Sequence, residues 1–144
     1  MSFTIEQLHL GQKDHFEKTF TESDVLLFAE ISGDMNPVHI SEIEAQKSVF
    51  GHRVVHGAFV LSVISALLGA KLPGGGTIYL GQESKFIAPV FIGDTVIVTC
   101  EVINIITDKN IAKLKCTIVN QDGKLVVDGI ATVMPPKNRA HRSV

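Results

Sequence analysis

The stretch VVHGAFVLSVISALLGAKLPGGG, residues 54–76, decides the fold. From Gly57 to Lys71 the apolar positions run almost all the way round a helix, and Pro73 with the three glycines that follow it is a stop signal. A helix that is apolar on nearly every face is buried. We therefore expect segment 57–71 to form the central helix of the domain.

After Thr77 the sequence pattern becomes typical of β-strands. Turn signals FIGD, TDKN and NQDG separate segments rich in β-branched residues. These predicted strands are 77–90, 93–108, 110–120 and 123–135. In the second of them Val96, Val98, Cys100 and Val102 alternate with Thr99 and Glu101, a period typical of an antiparallel sheet with one covered face. Cys100 and Cys116 are expected to be small buried hydrophobes.

The rest of the chain completes an α+β domain. Segment 13–20 is predicted to be extended, and segment 21–32 to be a helix with Thr21 or Ser23 as its N-cap. The minimal architecture is an antiparallel sheet of about five strands wrapped around the central helix. We expect one domain over residues 1–144, in which 135–144 form a flexible tail.

Composition excludes several classes of function. A chain of 144 residues with 45% hydrophobic residues suits one compact domain, and a formal net charge of −2 argues against nucleic-acid binding. No apolar run reaches about 18 residues, so we expect no membrane partner. The N-terminus lacks the features of a signal peptide, which predicts a cytoplasmic protein.

The loop SGDMNPVHI, residues 32–40, brings together several polar side chains. Asp34, Asn36 and Pro37 are all turn formers, so the loop could be a simple chain reversal. A turn does not require His39, however. The alternative hypothesis is that Asp34 and His39 converge on one small ligand.

Three stretches together resemble a known family: GDMNPVHI, FGHRVVHGAFVLSVISALLG and LPGGGTIYLGQESKFIAPVFIGDTV. In this order they are similar to the MaoC-like (R)-specific enoyl-CoA hydratases, small enzymes of the hot-dog fold, and the resemblance runs from about Leu10 to Met134. It implies reversible hydration of trans-2-enoyl-CoA to (R)-3-hydroxyacyl-CoA without metal or redox cofactor, by a homodimer. It also implies fatty acid metabolism and supply of polyhydroxyalkanoate precursors. Val54 stands where the family often has proline.

Hydration of an enoyl thioester requires a group that deprotonates water, a group that returns a proton to the neighbouring carbon, and donors to the thioester oxygen. Asp34 and His39 can supply the first two, since histidine titrates near neutrality. Which of them is the formal base stays open. By resemblance, the N–H of Gly57 at the helix start would hold the thioester oxygen. Asn36 is assigned to the same substrate site, where it would chiefly hold the loop.

Ser65 is predicted to line the substrate pocket together with Leu61 and Leu68, because the three share one helix face and by resemblance to the family. A serine satisfied within its own helix is the alternative. His56 is expected to be a structural or capping residue. A zinc site made by His39, His52 and His56 is not expected, because no carboxylate or cysteine completes the set.

Three other functions remain open. A thioesterase of this fold would need a carboxylate on or beside the central helix, and GAFVLSVISALLGA contains none. An (R)-3-hydroxyacyl-acyl carrier protein dehydratase would be expected to carry a basic docking patch. A non-catalytic acyl-thioester binding module would have no use for Asp34 and His39 together.

Overall fold

The computed structural model describes residues 2–137. Its strands are β1 Lys13–Thr19, β2 Ile78–Phe86, β3 Thr95–Ile106, β4 Ile111–Asn120 and β5 Leu125–Met134. Its α-helices are α1 Glu22–Ser32, α2 Pro37–Ile40, α3 Glu42–Gln46 and α4 Gly57–Ala70, with short 3₁₀ turns at Ile5–Gln7 and Thr107–Lys109. Most of the predicted tail, residues 138–144, lies outside the described residues. Pro135 is buried, and its carbonyl oxygen accepts a hydrogen bond from Asn110.

The five strands form one antiparallel sheet in the order β1-β3-β4-β5-β2, which confirms the predicted α+β architecture. The alternation in β3 is confirmed, because Val96 and Val98 are fully buried in the row that faces the core. Cys100 lies in the same row and pairs across the sheet with Cys116. Both cysteines are buried free thiols, as their positions on apolar faces predict.

Helix α4 packs one side against the sheet. That side buries Val60, Val63, Ile64, Leu67 and Leu68, and each such side chain contributes roughly 1.5–3 kcal/mol when fully removed from water. The opposite strip of small residues is exposed: Ala58, Ser62, Ser65, Ala66, Gly69 and Ala70. The expectation that α4 is buried on nearly every face is therefore wrong for the single chain, because the sheet wraps only one side of the helix. Within residues 2–137, no helix combines the length and apolar character needed to cross a membrane.

Helix α1 delivers the chain to the loop that carries Asp34. Thr21 is its N-cap and forms a capping box with Asp24, so the first of the two predicted caps is confirmed. The helix ends at Gly33, whose φ of 81° is left-handed and suits glycine. This turn redirects the chain into residues 34–36.

Candidate active site

The loop predicted around Asn36 and Pro37 contains a one-turn helix, α2. Asn36 Oδ1 accepts from the N–H of Val38 at 3.3 Å, and Pro37 occupies the first helical position. Asp34 Oδ1 in turn accepts from the N–H of Asn36 at 3.2 Å. Asn36 thus holds the loop by side-chain to backbone bonding, and α2 places His39 on its inner side, where only 8% of the residue is exposed.

The segment just before α4 fixes α2 in place. The N–H of Val54 donates to the carbonyl oxygen of Val38 at 3.2 Å. Arg53 Nε donates to the carbonyl oxygen of His39 at 2.8 Å, while its Nη1 pairs with Glu22 of α1 at 2.6 Å. The backbone that carries His39 is therefore tied both to this segment and, through Arg53, to α1.

The ring of His39 is held in a defined tautomer. Its Nδ1 lies 2.7 Å from the carbonyl oxygen of Val54, and a carbonyl oxygen can only accept, so Nδ1 carries the hydrogen. The neutral ring then has a free lone pair on Nε2. Burial lowers the pKa of His39 below its ordinary value of 6.5, and the neighbouring His56 lowers it further, against the opposing effects of the Val54 hydrogen bond and Asp34. His39 is consequently neutral at pH 7 and able to accept a proton.

Asp34 lies beside this ring at the surface. A carboxylate oxygen of Asp34, a ring nitrogen of His39 and a ring nitrogen of His56 all lie within 4.8 Å of one another. The Asp34 carboxylate uses Oδ1 for the loop, and Oδ2 is left to accept from a further donor. The structure thus brings the two predicted catalytic residues together.

His56 is a third member of the cluster, whose contacts the sequence did not reveal. It is 1% exposed, and its Nε2–H donates to the main-chain carbonyl oxygen of Asp34 at 3.0 Å. Its ring stacks on that of His39 with centroids 3.8 Å apart and planes 28° apart. His56 is the N-cap residue of α4, yet its side chain makes no capping bond. Of its two predicted roles, the structural one agrees with these contacts.

Asp34, His39 and His56 are residue types that could hold a metal ion. A metal ion bound by imidazole lies close to the plane of the ring, along the nitrogen lone pair. The stacked rings of His39 and His56 have nearly parallel planes. With centroids 3.8 Å apart and planes tilted by only 28°, lone pairs that lie in the two ring planes are poorly placed to meet on one ion.

A cavity of about 470 Å³ opens beside His39. Asn36, His39 and Gly57 contribute to its wall, and Asp34 stands next to the lining residues. The rest of the lining is apolar: Val38, Phe50, Val54, Val55, Val60, Phe86, Ile87, Ala88, Pro89, Val90 and Val127. Such a wall suits an acyl chain with a few polar groups at one end.

Gly57 presents backbone to this cavity. Its N–H is the first of α4, where no carbonyl partner exists within the helix, and among residues 2–137 it has no hydrogen bond. A Cβ at position 57 would lie 2.9 Å from two ring atoms of Phe86. A side chain at position 57 would therefore have to displace the tip of the exposed Phe86 ring, whereas glycine leaves the backbone here uncovered.

The other three predicted pocket residues do not reach this cavity. Leu61 and Ser65 border a separate shallow depression beside Tyr79 and Gln82 of β2. Leu68 is 1% exposed and belongs to the core. The helical spacing in the sequence placed Leu61, Ser65 and Leu68 on one face of α4. The α4 residues that line the cavity are instead Gly57 and Val60. In the single chain, the structure does not support the assignment of Leu61, Ser65 and Leu68 to a pocket shared with Gly57.

Comparisons with known proteins agree with this fold. The family profile described as MaoC like domain matches residues 7–123. An (R)-specific enoyl-CoA hydratase of Rhodospirillum rubrum is 45% identical over 91% of this chain and 90% of its own. A 3-hydroxybutyryl-CoA dehydratase of Methylorubrum extorquens is also 45% identical, over 92% of this chain and 83% of its own.

A solved structure of similar kind is an (R)-hydratase of A. caviae involved in PHA biosynthesis. It superposes with a TM-score of 0.88 at 43% identity, covering 91% of this chain and 99% of that one. A match over most of both chains at this identity extends to the whole domain rather than to a shared motif. The predicted resemblance is confirmed, and the chain belongs to the MaoC-like family of hot-dog fold proteins.

Proposed function

We infer that this protein adds water to trans-2-enoyl-CoA to give (R)-3-hydroxyacyl-CoA and catalyses the reverse dehydration. The similar proteins named for the two directions, hydratase and dehydratase, support one reversible reaction. The observation that carries the proposal is that His39, with a free Nε2, and Gly57, with a free N–H, line one apolar cavity, and that the carboxylate of Asp34 lies beside His39.

In the proposed reaction, one water molecule lies between His39 and Asp34. It donates one hydrogen to Nε2 of His39 and the other to the Asp34 carboxylate, which orients its oxygen toward the β-carbon of the substrate. The new C–O bond forms as one O–H bond breaks, and the electron pair of the double bond moves to the thioester oxygen. The proton taken by the pair then returns to the α-carbon, so that all atoms of one water are added.

The charge that develops on the thioester oxygen needs a donor. The N–H of Gly57 lies at the positive end of α4, and Gly57 lines an apolar cavity, where a hydrogen bond to an anionic oxygen is strong. A single donor of this kind contributes roughly 3 kcal/mol to transition-state stabilisation. Asp34 and His39 lie together, so both the hydroxyl and the proton reach the same face of the substrate, which predicts syn addition.

Among the lining residues of the cavity, His39 is the one titratable group. A thioesterase would need a carboxylate aimed at the carbonyl carbon, and the part of the lining supplied by α4, Gly57 and Val60, has none. This favours hydration over hydrolysis. An acyl carrier protein dehydratase would use the same chemistry. It differs from a CoA hydratase only in the group that carries the acyl chain. A binding module would not need a free base beside the acyl site.

The test is to mix the protein with trans-2-butenoyl-CoA and follow the ultraviolet absorbance of the conjugated thioester while measuring free thiol. Loss of absorbance without thiol release is the expected result. Thiol release would establish hydrolysis and overturn the proposal. The same assay with the acyl group on acyl carrier protein compares the two carriers, and a higher kcat/KM on the carrier protein would reassign the substrate.

We also propose that the protein is a two-fold homodimer. Strand β2 is an edge of the sheet that exposes Ile78, Leu80 and Phe86, and an exposed apolar edge favours pairing with another strand. The exposed strip of small residues on α4 adds a second surface that could be covered by such pairing. Light scattering should report a dimer in active samples, and a fully active monomer would contradict this part. We further propose that the protein resides in the cytoplasm and supplies precursors of polyhydroxyalkanoates.

A further inference from the structure

His56 is a buried polar residue for which the proposed reaction has no step. Its ring contacts two other rings, that of Phe28 at a centroid distance of 4.8 Å and that of His39 at 3.8 Å. Its Nε2–H donates to the carbonyl oxygen of Asp34, which is 22 residues away along the chain. One side chain at the start of α4 therefore touches both members of the catalytic pair.

The hydrogen bond to Asp34 fixes a residue that is otherwise exposed. The carboxylate of Asp34 is held through Oδ1 within its own loop, and the loop follows the left-handed turn at Gly33. A bond from the buried core to the main chain of Asp34 sets where this loop lies relative to His39. Without it, the carboxylate could move with the loop away from the water.

The second ring nitrogen of His56 supports the same interpretation. The hydrogen on Nε2 is used in the bond to Asp34, and the other ring nitrogen, Nδ1, is buried without a hydrogen-bond partner among residues 2–137. A buried polar atom without a partner lowers stability. An apolar side chain would avoid this cost, so the contact that distinguishes histidine here is the bond from Nε2–H to Asp34.

We propose that His56 is a positioning residue of the hydratase site, which fixes the main chain of Asp34 through Nε2–H and supports the ring of His39 by stacking. This inference rests on the proposed function. His56 touches neither the substrate nor the water and acts through the pair.

The pKa of His39 is a measurable quantity that a purely structural role of His56 would not change. The titratable and charged groups that face it are His56 at the start of α4, Asp34 in the loop before α2, and Arg53, whose guanidinium binds the His39 carbonyl oxygen. His56 lowers the pKa of His39. Removing its imidazole should therefore raise the pKa of His39 and move the acidic limb of the kcat/KM profile to higher pH.

Two variants separate the hydrogen bond from the ring. His56→Gln places an amide N–H at the position of Nε2 and keeps the donor, because both nitrogens are three bonds from Cβ. His56→Phe keeps a ring against His39 and removes the donor. Val98→Ala is the matched control, since it removes packing from the buried face of β3, away from the cavity lining.

We expect His56→Phe to lower kcat by up to about 10²-fold, as a displacement of about 1 Å can. KM should change far less, because substrate contacts lie elsewhere in the cavity. His56→Gln should recover most of the lost kcat and show the raised pKa of His39, measured by NMR titration of the ring. Val98→Ala should lose thermal stability and keep its kcat.

Near-normal kcat in His56→Phe, or equal losses in both His56 variants, would overturn the inference. So would a kcat loss in Val98→Ala as large as that in His56→Phe. If His56→Phe does not fold, His56→Gln decides alone, and an unchanged pKa of His39 in it counts against the inference. A wild-type protein without hydratase activity would refute the proposed function instead, and the NMR titration would still report whether His56 acts on His39.

Discussion

Replacing His39 by Asn should remove the proton acceptor while preserving the anchor of the side chain. In the wild-type protein, the imidazole Nδ1 donates to the carbonyl oxygen of Val54 at 2.7 Å. The amide nitrogen of Asn takes the place of this atom. Nothing then occupies the position of Nε2. We expect kcat to fall by about 10²–10⁴-fold, the range for loss of a positioned acid or base. KM should change far less, since the apolar walls of the cavity remain.

The contrast with His39→Gln tests whether this geometry is correct. Gln places its amide near the position of Nε2 and leaves the carbonyl oxygen of Val54, a residue only 4% exposed, without a donor. An unpaired buried acceptor costs roughly 1–3 kcal/mol. In a domain of this size each kcal/mol lowers the Tm by about 4 °C. His39→Gln should thus melt several degrees below His39→Asn.

Both variants are assayed by the absorbance of trans-2-butenoyl-CoA and by thermal unfolding. Near-normal turnover in a folded His39→Asn protein would refute the role of His39 as proton acceptor. Equal melting temperatures for the two variants would refute the anchoring role of the Val54 carbonyl. The parallel change Asp34→Asn keeps an acceptor oxygen for the loop and should lower kcat by a comparable factor of about 10²–10⁴.

Gly57→Ala should lower kcat/KM, because the new methyl would lie 2.9 Å from the Phe86 ring and cover the backbone beside the cavity. Adding Phe86→Leu should restore part of the loss, and full activity of the single variant would contradict a substrate contact at Gly57. Since the pKa of His39 is lowered, the acidic limb of kcat/KM should lie below pH 6.5, and half-loss at or above 6.5 would contradict its burial. For the same reason, the contribution of His39 to stability is present above pH 6.5 and lost as the pH falls, as denaturant titrations can measure. Leu68→Ala should cost about 2–5 kcal/mol without changing the ranking of acyl lengths; a gain for longer substrates would return Leu68 to the acyl pocket.

The core of the fold could be predicted because its signals are local. The run of apolar residues in α4 and the alternation of Val96, Val98 and Cys100 in β3 each span several turns or pleats. The exposed strip on α4 was missed because alanine and glycine count as apolar in the sequence, while exposure depends on how far the sheet wraps.

The one-turn helix α2 was missed because four residues are too few to show a period. Asn36 followed by Pro37 is nevertheless a signature of a helix start and could have revealed it. The pairing of Asp34 with His39 was predicted, since both belong to one loop. The contacts of His56 with Asp34 and of Arg53 with His39 join distant segments, and no local pattern encodes them.

The most direct test of the account is the stereochemistry of water addition in ²H₂O. The protein is incubated with trans-2-butenoyl-CoA, and the product is analysed by NMR coupling constants and by chiral chromatography. We predict a single product with R configuration at C3, in which deuterium and the hydroxyl have been added to the same face, because Asp34 and His39 serve one water from one side. Anti addition or a mixture of diastereomers would contradict a shared water at this pair, and an S product would contradict the proposed R specificity.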